Sequence, residues 1–311
     1  MTDQTARASA IDPLRLMLAL FVVALHGGFP DAAPALVKQA LFNGVYRLAV
    51  PVFALISGYF FLAAMRRGQG WRYLRRIGAV YLLWMVIYLP FYGPGIGSWD
   101  HALRLVVFGY FQLWFLPGLL VSAVLVLVLV MVLRAPRVLA GAAGAMALTG
   151  LVLQYLVLSG QAQIQLDHYR NGLFAVFPYF AMGVLMAHGW GAGLGRRVWP
   201  LAGLALAAVA AESLIWYRIA DGGWGVDMMV SLLLATPLIF LAAQQVSGGW
   251  DGKQIAGMAA FVYFVHVLIM HVATGFGLTG DLKALVVMAL CLGLAGFLAT
   301  GGRRPVLAFF T

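Results

Sequence analysis

The chain has 311 residues, 63% hydrophobic and 10% charged, with a mean hydropathy of +0.95 and a formal net charge of +10. Soluble domains carry about 25% charged residues, so this composition excludes an ordinary water-soluble fold. The positive charge alone would suit nucleic acid, but the basic residues lie between apolar runs, which makes them topology signals and candidates for an anionic small ligand; no nucleic-acid partner is expected.

Apolar runs near 20 residues recur along the chain, each long enough to cross about 30 Å of hydrocarbon. They are continuous rather than alternating, so the expected fold is all-α: a polytopic integral membrane protein of about ten transmembrane helices. In chain order the spans are expected at 12–29, 45–64, 73–92, 113–133, 138–158, 172–188, 199–217, 226–245, 256–276 and 282–300. The first and sixth are short, and a half-polar stretch, 98–110, has the make-up of an interfacial segment. The chain reads as one transmembrane domain over 1–311, with no soluble domain appended and no internal repeat. Arg7, Arg15, the run 16–25 and the small residues Ala32, Ala33 and Ala35 also fit a cleavable leader, although the polar residues in this segment suit a site better.

Orientation follows from lysine and arginine. With the N-terminus in the cytoplasm, fourteen fall on the cytoplasmic side, including Arg66, Arg67, Arg72, Arg75, Arg76, Arg134, Arg137, Arg196, Arg197, Lys253, Arg303 and Arg304 with Arg7 and Arg15. The remaining six of the twenty, Lys38, Arg47, Arg104, Arg170, Arg218 and Lys283, fall opposite. Both termini are therefore expected in the cytoplasm. The single cysteine, Cys291, lies in an apolar run, which rules out an internal disulfide and disfavours a thiol nucleophile.

Several residues are candidates for chemistry. Arg15 and His26 are eleven residues apart, which returns to nearly the same helix azimuth after a rise of about 16 Å. Asp12 is one turn before Arg15 on a similar face. Charged groups within a span usually line a cavity or a pathway; the bland alternative is a snorkelling arginine and a capping histidine. Arg72, Arg75 and Arg76 share a face at the start of the third span. Guanidinium rows suit polyphosphates, yet simple positive-inside anchoring would explain them too. Arg47 enters a span ahead of Pro51, and Ser57-Gly58 would let another helix approach closely. Glu212, the only glutamate, lies in the seventh span, and His266 lies in the ninth. His271 is on another face from His266. No metal-binding motif and no phosphate-binding glycine loop is present, so no bound cofactor is expected.

Taken together, these segments resemble the membrane acyltransferase-3 family, whose members O-acylate sugars and antibiotics. The resemblance runs from Ile11-Asp12-Pro13-Leu14-Arg15 and His26 through Arg47-Leu48-Ala49-Val50-Pro51 and Ile56-Ser57-Gly58-Tyr59. It continues in Arg72-Tyr73-Leu74-Arg75-Arg76, Trp114-Phe115-Leu116, Phe177-Pro178-Tyr179-Phe180 with Gly183, and Tyr263 with His266. Each piece is weak alone; in this order, over most of the chain, they are specific. The resemblance implies cytoplasmic acyl-CoA, normally acetyl-CoA, as co-substrate. It places Arg15 and the arginines at 72, 75 and 76 on the donor and makes His26 the catalytic residue. Asp12, Arg47, Trp114, Glu212, Tyr263 and His266 are expected in supporting or acceptor-side positions. The acceptor would be a glycan, a lipid-linked sugar or a polysaccharide such as exopolysaccharide, and the location a bacterial inner membrane, among membrane lipids.

The residue types agree with this chemistry. A thioester needs no metal; a hydroxyl needs a base, which neutral imidazole provides. An acetyl-histidine intermediate would use the same residue. Two other functions fit the same polar residues. A transporter of an anionic or sugar-linked substrate would use them for binding or proton relay, but paired broken helices and repeats are not evident. A non-catalytic partner in polysaccharide assembly is the third reading. Coenzyme A binding separates the first from both.

Overall fold

A computed structural model describes residues 10–133, 136–220, 225–300 and 307. Arg7, Arg134, Arg303 and Arg304, which enter the charge count above, lie outside them. The described chain is helical, 83% of it, with no β-strand among the described residues, as expected of backbone that must satisfy its hydrogen bonds within each segment. The helices are α1 (Ile11–Gly27), α2 (Ala35–Phe42), α3 (Ala49–Arg66), α4 (Gly70–Tyr92), α5 (Trp99–Phe108), α6 (Phe115–Leu133) and α7 (Pro136–Leu158). They continue with α8 (Leu166–Tyr169), α9 (Phe177–Ala187), α10 (Val198–Ile219), α11 (Val230–Gln245), α12 (Gly252–Gly275) and α13 (Gly280–Ala299). Among the described residues, seven helical stretches are long and apolar enough to cross a membrane, and those over Gly172–Ala187 and Val230–Gln245 are shorter but also apolar.

Apolar side chains point outward as well as inward. Leu82, Val86 and Leu89 form an exposed stripe at i, i+4 and i+7 on α4, and Leu204, Leu234 and Leu282 are each at least 60% exposed on other helices. Such a surface is stable against lipid and not against water.

The chain divides into two compact units. The first holds residues 10–49, 196–218, 238–300 and 307. Its centre is α1 packed along α12, with α13 against both. Small residues set the spacing: a Cβ added to Gly27 would lie 2.8 Å from the Ala284 Cβ. The loop after α1 is tied to the start of α13, where Asp281 accepts from the backbone N–H groups of Asp31 and Ala32. Val198 and Ala202 of α10 pack with Ala242 of α11, and Trp199 Nε1 donates to Gln245 Oε1 at 3.1 Å.

The second unit holds residues 50–133, 136–195, 219–220 and 225–237. Here α3 and α9 cross almost backbone to backbone. A Cβ on Gly58 would fall 1.9 Å from the Phe180 carbonyl oxygen, and one on Gly183 would fall 2.0 Å from that of Leu55. The close approach expected from Ser57-Gly58 is thus reciprocal, one glycine from each helix. Phe61 fills the next layer against Phe180, ring centroids 5.4 Å apart.

Two expected spans start differently from the reading above, and the half-polar stretch before the fourth takes a defined form. The stretch 98–110 is the short helix α5, capped by Ser98, whose hydroxyl accepts from His101 N at 3.2 Å. Its far end is held by Tyr81 of α4, whose hydroxyl donates to the Val106 carbonyl at 2.7 Å. The span expected from 172 opens with a π-turn, Gly172–Val176, before α9. The span expected from 226 becomes helical only at Val230, because Gln154 holds the preceding backbone open. Its Oε1 accepts from Asp227 N at 2.9 Å and Met228 N at 3.0 Å, and its Nε2 donates to the Met228 carbonyl.

Replacing Gly58 or Gly183 by alanine should destabilise the protein by about 3 kcal/mol or more, the upper end of overpacking costs, because the obstacle is rigid backbone. The midpoint of thermal unfolding in detergent measures this; an unshifted midpoint for both variants would contradict the crossing.

Candidate active site

Of the residues singled out in the sequence, Asp12, Arg15, His26, Arg47, Glu212, Tyr263 and His266 belong to the first unit, and Arg72, Arg75, Arg76 and Trp114 to the second.

The helix α1 forms because 16–25 is an unbroken apolar run, and it ends where Gly28 adopts a left-handed conformation (φ 77°) that returns its N–H to α1 carbonyls. One helix therefore carries Asp12, Arg15 and His26. Arg15 Nη1 lies 2.7 Å from Asp12 Oδ1, and Asp12 is buried. The pair satisfies the carboxylate and fixes the guanidinium, at a position where neither group is freely hydrated. His26 sits in the last turn, one residue before the close approach at Gly27.

Facing it is His266 of α12, fully buried. His26 Nδ1 and His266 Nε2 are 2.8 Å apart. The rings are parallel within 11° and their centroids are 5.1 Å apart. That separation fits two rings joined edge to edge by one in-plane hydrogen bond, and does not fit face-to-face contact. The proton positions follow. His266 Nδ1 is 2.8 Å from the Tyr263 carbonyl and 3.1 Å from that of Val262. A carbonyl only accepts, so His266 Nδ1 carries the proton. With His266 neutral, its Nε2 is an acceptor, and His26 must donate through Nδ1–H. The lone pair of neutral His26 is then on Nε2. The sequence placed His266 on the acceptor side; the structure joins it to His26. Tyr263 contributes its carbonyl to this pair, and its ring is 6.4 Å from that of His266.

Arg47 lies in a 3₁₀ turn, Val45–Leu48, which packs on α1 through Tyr46 and Phe21, ring centroids 5.2 Å apart. Its Nη2 donates to Asn43 Oδ1 at 2.8 Å. Asn43 donates to Gln39 at 3.0 Å, and Gln39 to the Ser213 carbonyl of α10 at 3.1 Å. This chain gives Arg47 a partner that its position ahead of Pro51 did not reveal. Gln39 and Asn43 are four residues apart on α2 and its cap, which was the available signal. Glu212 is half-buried on α10, beside Ser213.

In the second unit Arg72, Arg75 and Arg76 are exposed in the first two turns of α4. Cations at a helix N-terminus oppose the macrodipole, so local helix stability does not explain them. Trp114 ends a 3₁₀ turn, Phe111–Trp114, with Arg170 Cζ 5.3 Å from its ring centroid. Arg170 was not singled out in the sequence. Among the described residues, no group of three or more histidine, cysteine or acidic side chains is placed to hold a metal.

Fold and site together define an α-helical membrane protein with a hydrogen-bonded histidine pair between two of its helices. The family model described as an acyltransferase domain matches residues 9–301, nearly the whole sequence, and the chain belongs to this acyltransferase-3 family. A segment of 138 residues, 40% of the chain, is 32% identical to an amino-acid racemase of Enterococcus faecalis. The match spans only 20% of that relative's length, so nothing about racemisation carries over. No solved structure matches.

In ¹⁵N-histidine spectra of the labelled protein, neutral His26 should show a protonated Nδ1 and an unprotonated Nε2. His266→Leu should abolish that preference while the fold persists; an unchanged His26 signature in His266→Leu would contradict the bond.

Proposed function

We propose that the protein is a membrane O-acyltransferase that moves an acyl group, normally acetyl, from acyl-CoA to a hydroxyl of a glycan or glycolipid. Family membership supports the acyltransferase class. The observation that carries the catalytic reading is the His26–His266 bond, because it directs one defined lone pair, that of His26 Nε2, away from its partner.

In this reading His26 Nε2 takes the proton from the acceptor hydroxyl as its oxygen attacks the thioester carbonyl. The tetrahedral intermediate collapses, the C–S bond breaks, and coenzyme A leaves as a thiolate that recovers the proton from His26. His266 acts as a positioning residue: the Nδ1–H bond fixes the ring and becomes charge-assisted when His26 is protonated, where a hydrogen bond is about twice as strong. Proton transfer of this kind contributes roughly 100- to 10,000-fold.

The donor's phosphates are assigned to the exposed row Arg72, Arg75 and Arg76; for Arg15 the family resemblance separately implies a donor contact. The pairing with Asp12 supports that role by holding the Arg15 guanidinium in one geometry. Along α1 the rise from Arg15 to His26 is about 16 Å, comparable to an extended pantetheine arm. Ten membrane crossings, cytoplasmic termini and a bacterial inner-membrane location belong to the same proposal, supported by the distribution of lysine and arginine.

His26→Gln should yield a folded protein that still binds coenzyme A but turns over roughly 100-fold or more slowly. Acetyl transfer near the wild-type rate by that variant would end the base assignment. Arg75→Ala should weaken coenzyme A binding about tenfold, the loss of one charge-assisted contact of about 1.5–3 kcal/mol. Calorimetry on the purified protein measures it, and unchanged affinity in Arg72→Ala, Arg75→Ala and Arg15→Ala alike would remove the donor site.

A further inference from the structure

A cavity of about 620 Å³ lies wholly within the second unit, bounded by the end of α5, the turn Phe111–Trp114, the start of α6 and residues 166–173. Its volume is in the range of about 300–1,000 Å³ typical of small-molecule sites. The walls are of two kinds.

One part is polar and planar. Trp114 presents a half-buried indole, with Arg170 over its ring. Arg104 reaches Gln165 at 2.7 Å, Asp100 at 3.2 Å and Asp167 at 3.5 Å. Arg170 Nη1 lies 3.9 Å from Asp227, and its Nε is buried without a hydrogen-bond partner. Both guanidiniums therefore have carboxylates at hand, so the cavity does not demand an anion. What remains are N–H donors in fixed planes beside an aromatic surface, which suits a neutral polyol. Asn171 shapes this wall, its side chain being spent on the backbone N–H groups of Leu173 and Phe174 and the carbonyls of Asp167 and His168.

The other part is apolar and open. Phe111, Val121 and Leu173 line the cavity and are 51%, 40% and 37% exposed. They adjoin α5, whose residues Trp99, Leu103 and Val106 form an outward apolar stripe, 92%, 63% and 57% exposed. This is the pattern of a helix lying in a membrane interface. A soluble sugar would leave this wall wet, and a plain lipid would offer no acceptor to the N–H groups of the polar wall.

We infer that this cavity is a site for a lipid-linked sugar, with the sugar ring against Trp114, Arg104 and Arg170 and the lipid chain along Phe111, Val121 and Leu173. The assignment deepens the transferase reading by naming its acceptor class, and the word acceptor rests on that reading; the binding site does not. Gly109 fits the same design. Its φ is 83°, and a Cβ there would lie 2.8 Å from the Trp114 backbone nitrogen, so only glycine lets the chain turn the indole into the wall.

The test uses the full chain in phospholipid nanodiscs free of glycosidic detergent, with radiolabelled octyl β-D-glucoside as probe. Methyl β-D-glucoside supplies the head alone and octanol the tail alone. The amphipathic probe should bind at least tenfold more tightly than either half. Val121→Trp, a filling change on the open wall, and Trp114→Ala should each weaken it at least tenfold while leaving coenzyme A binding unchanged. Trp114 also packs against the cluster of Leu151 and Met228, so Val121→Trp is the decisive variant. Equal binding of octanol would make the cavity a lipid crevice, and equal binding of methyl glucoside a site for soluble glycans; either overturns the inference, as does wild-type affinity in Val121→Trp. Saturable octyl glucoside binding by a protein that binds no coenzyme A would uphold the site and defeat the transferase reading instead.

Discussion

Hydrocarbon offers no hydrogen-bond partner, and most of what is particular about this protein follows from that constraint. At several places where the backbone departs from helix, or a polar side chain enters a span, the chain supplies its own partner. Gln154 spends both ends of its amide on the open backbone at Asp227 and Met228. Gln39, Asn43 and Arg47 pass hydrogen bonds along α2 to the Ser213 carbonyl. Asp12 and Arg15 neutralise each other one turn apart. Leaving one such buried group unsatisfied costs about 1–3 kcal/mol, so these links specify the structure as firmly as apolar packing does.

The histidine pair is the same device, and the proposed function puts it to chemical use. Backbone carbonyls of α12 fix which nitrogen of His266 bears a proton, and that in turn fixes His26. A base is useful when its lone pair is directed and its conjugate acid is accommodated. In the proposed reading both conditions come from one bond between α1 and α12, next to the place where Gly27 of α1 packs against Ala284 of α13. The histidine pair rests on helical backbone, whereas the cavity around Trp114 is built from turns, a π-turn and a short amphipathic helix. Irregular backbone of this kind lines cavities in membrane proteins because there its free polar groups find other partners.

Family membership and this geometry are independent supports. The family model matches residues 9–301, a range that contains every motif of the resemblance. The geometry explains why two of those motifs belong together: the His26 segment and the Tyr263-to-His266 segment are the two halves of one hydrogen-bonded pair. The reciprocal glycines 58 and 183 explain two more, since neither helix could carry a side chain at the crossing.

The sequence by itself determined that the protein is helical and lipid-exposed, where its apolar segments run, and that Asp12, Arg15 and His26 share one helix. These follow from hydropathy and a period of 3.6, which are local properties of the chain. Tertiary structure alone decided that His266 meets His26, that Arg47 ends a chain begun at Ser213, and that Gln154 delays α11 until Val230. These contacts join residues far apart in sequence, as His26 and His266 are by 240 positions. No local pattern encodes such a meeting, because it depends on which helices pack and at what rotation. The cavity at Trp114 was equally hidden. Its indole was visible in the sequence, but Arg170 lies 56 residues further on, and only the fold brings the two together.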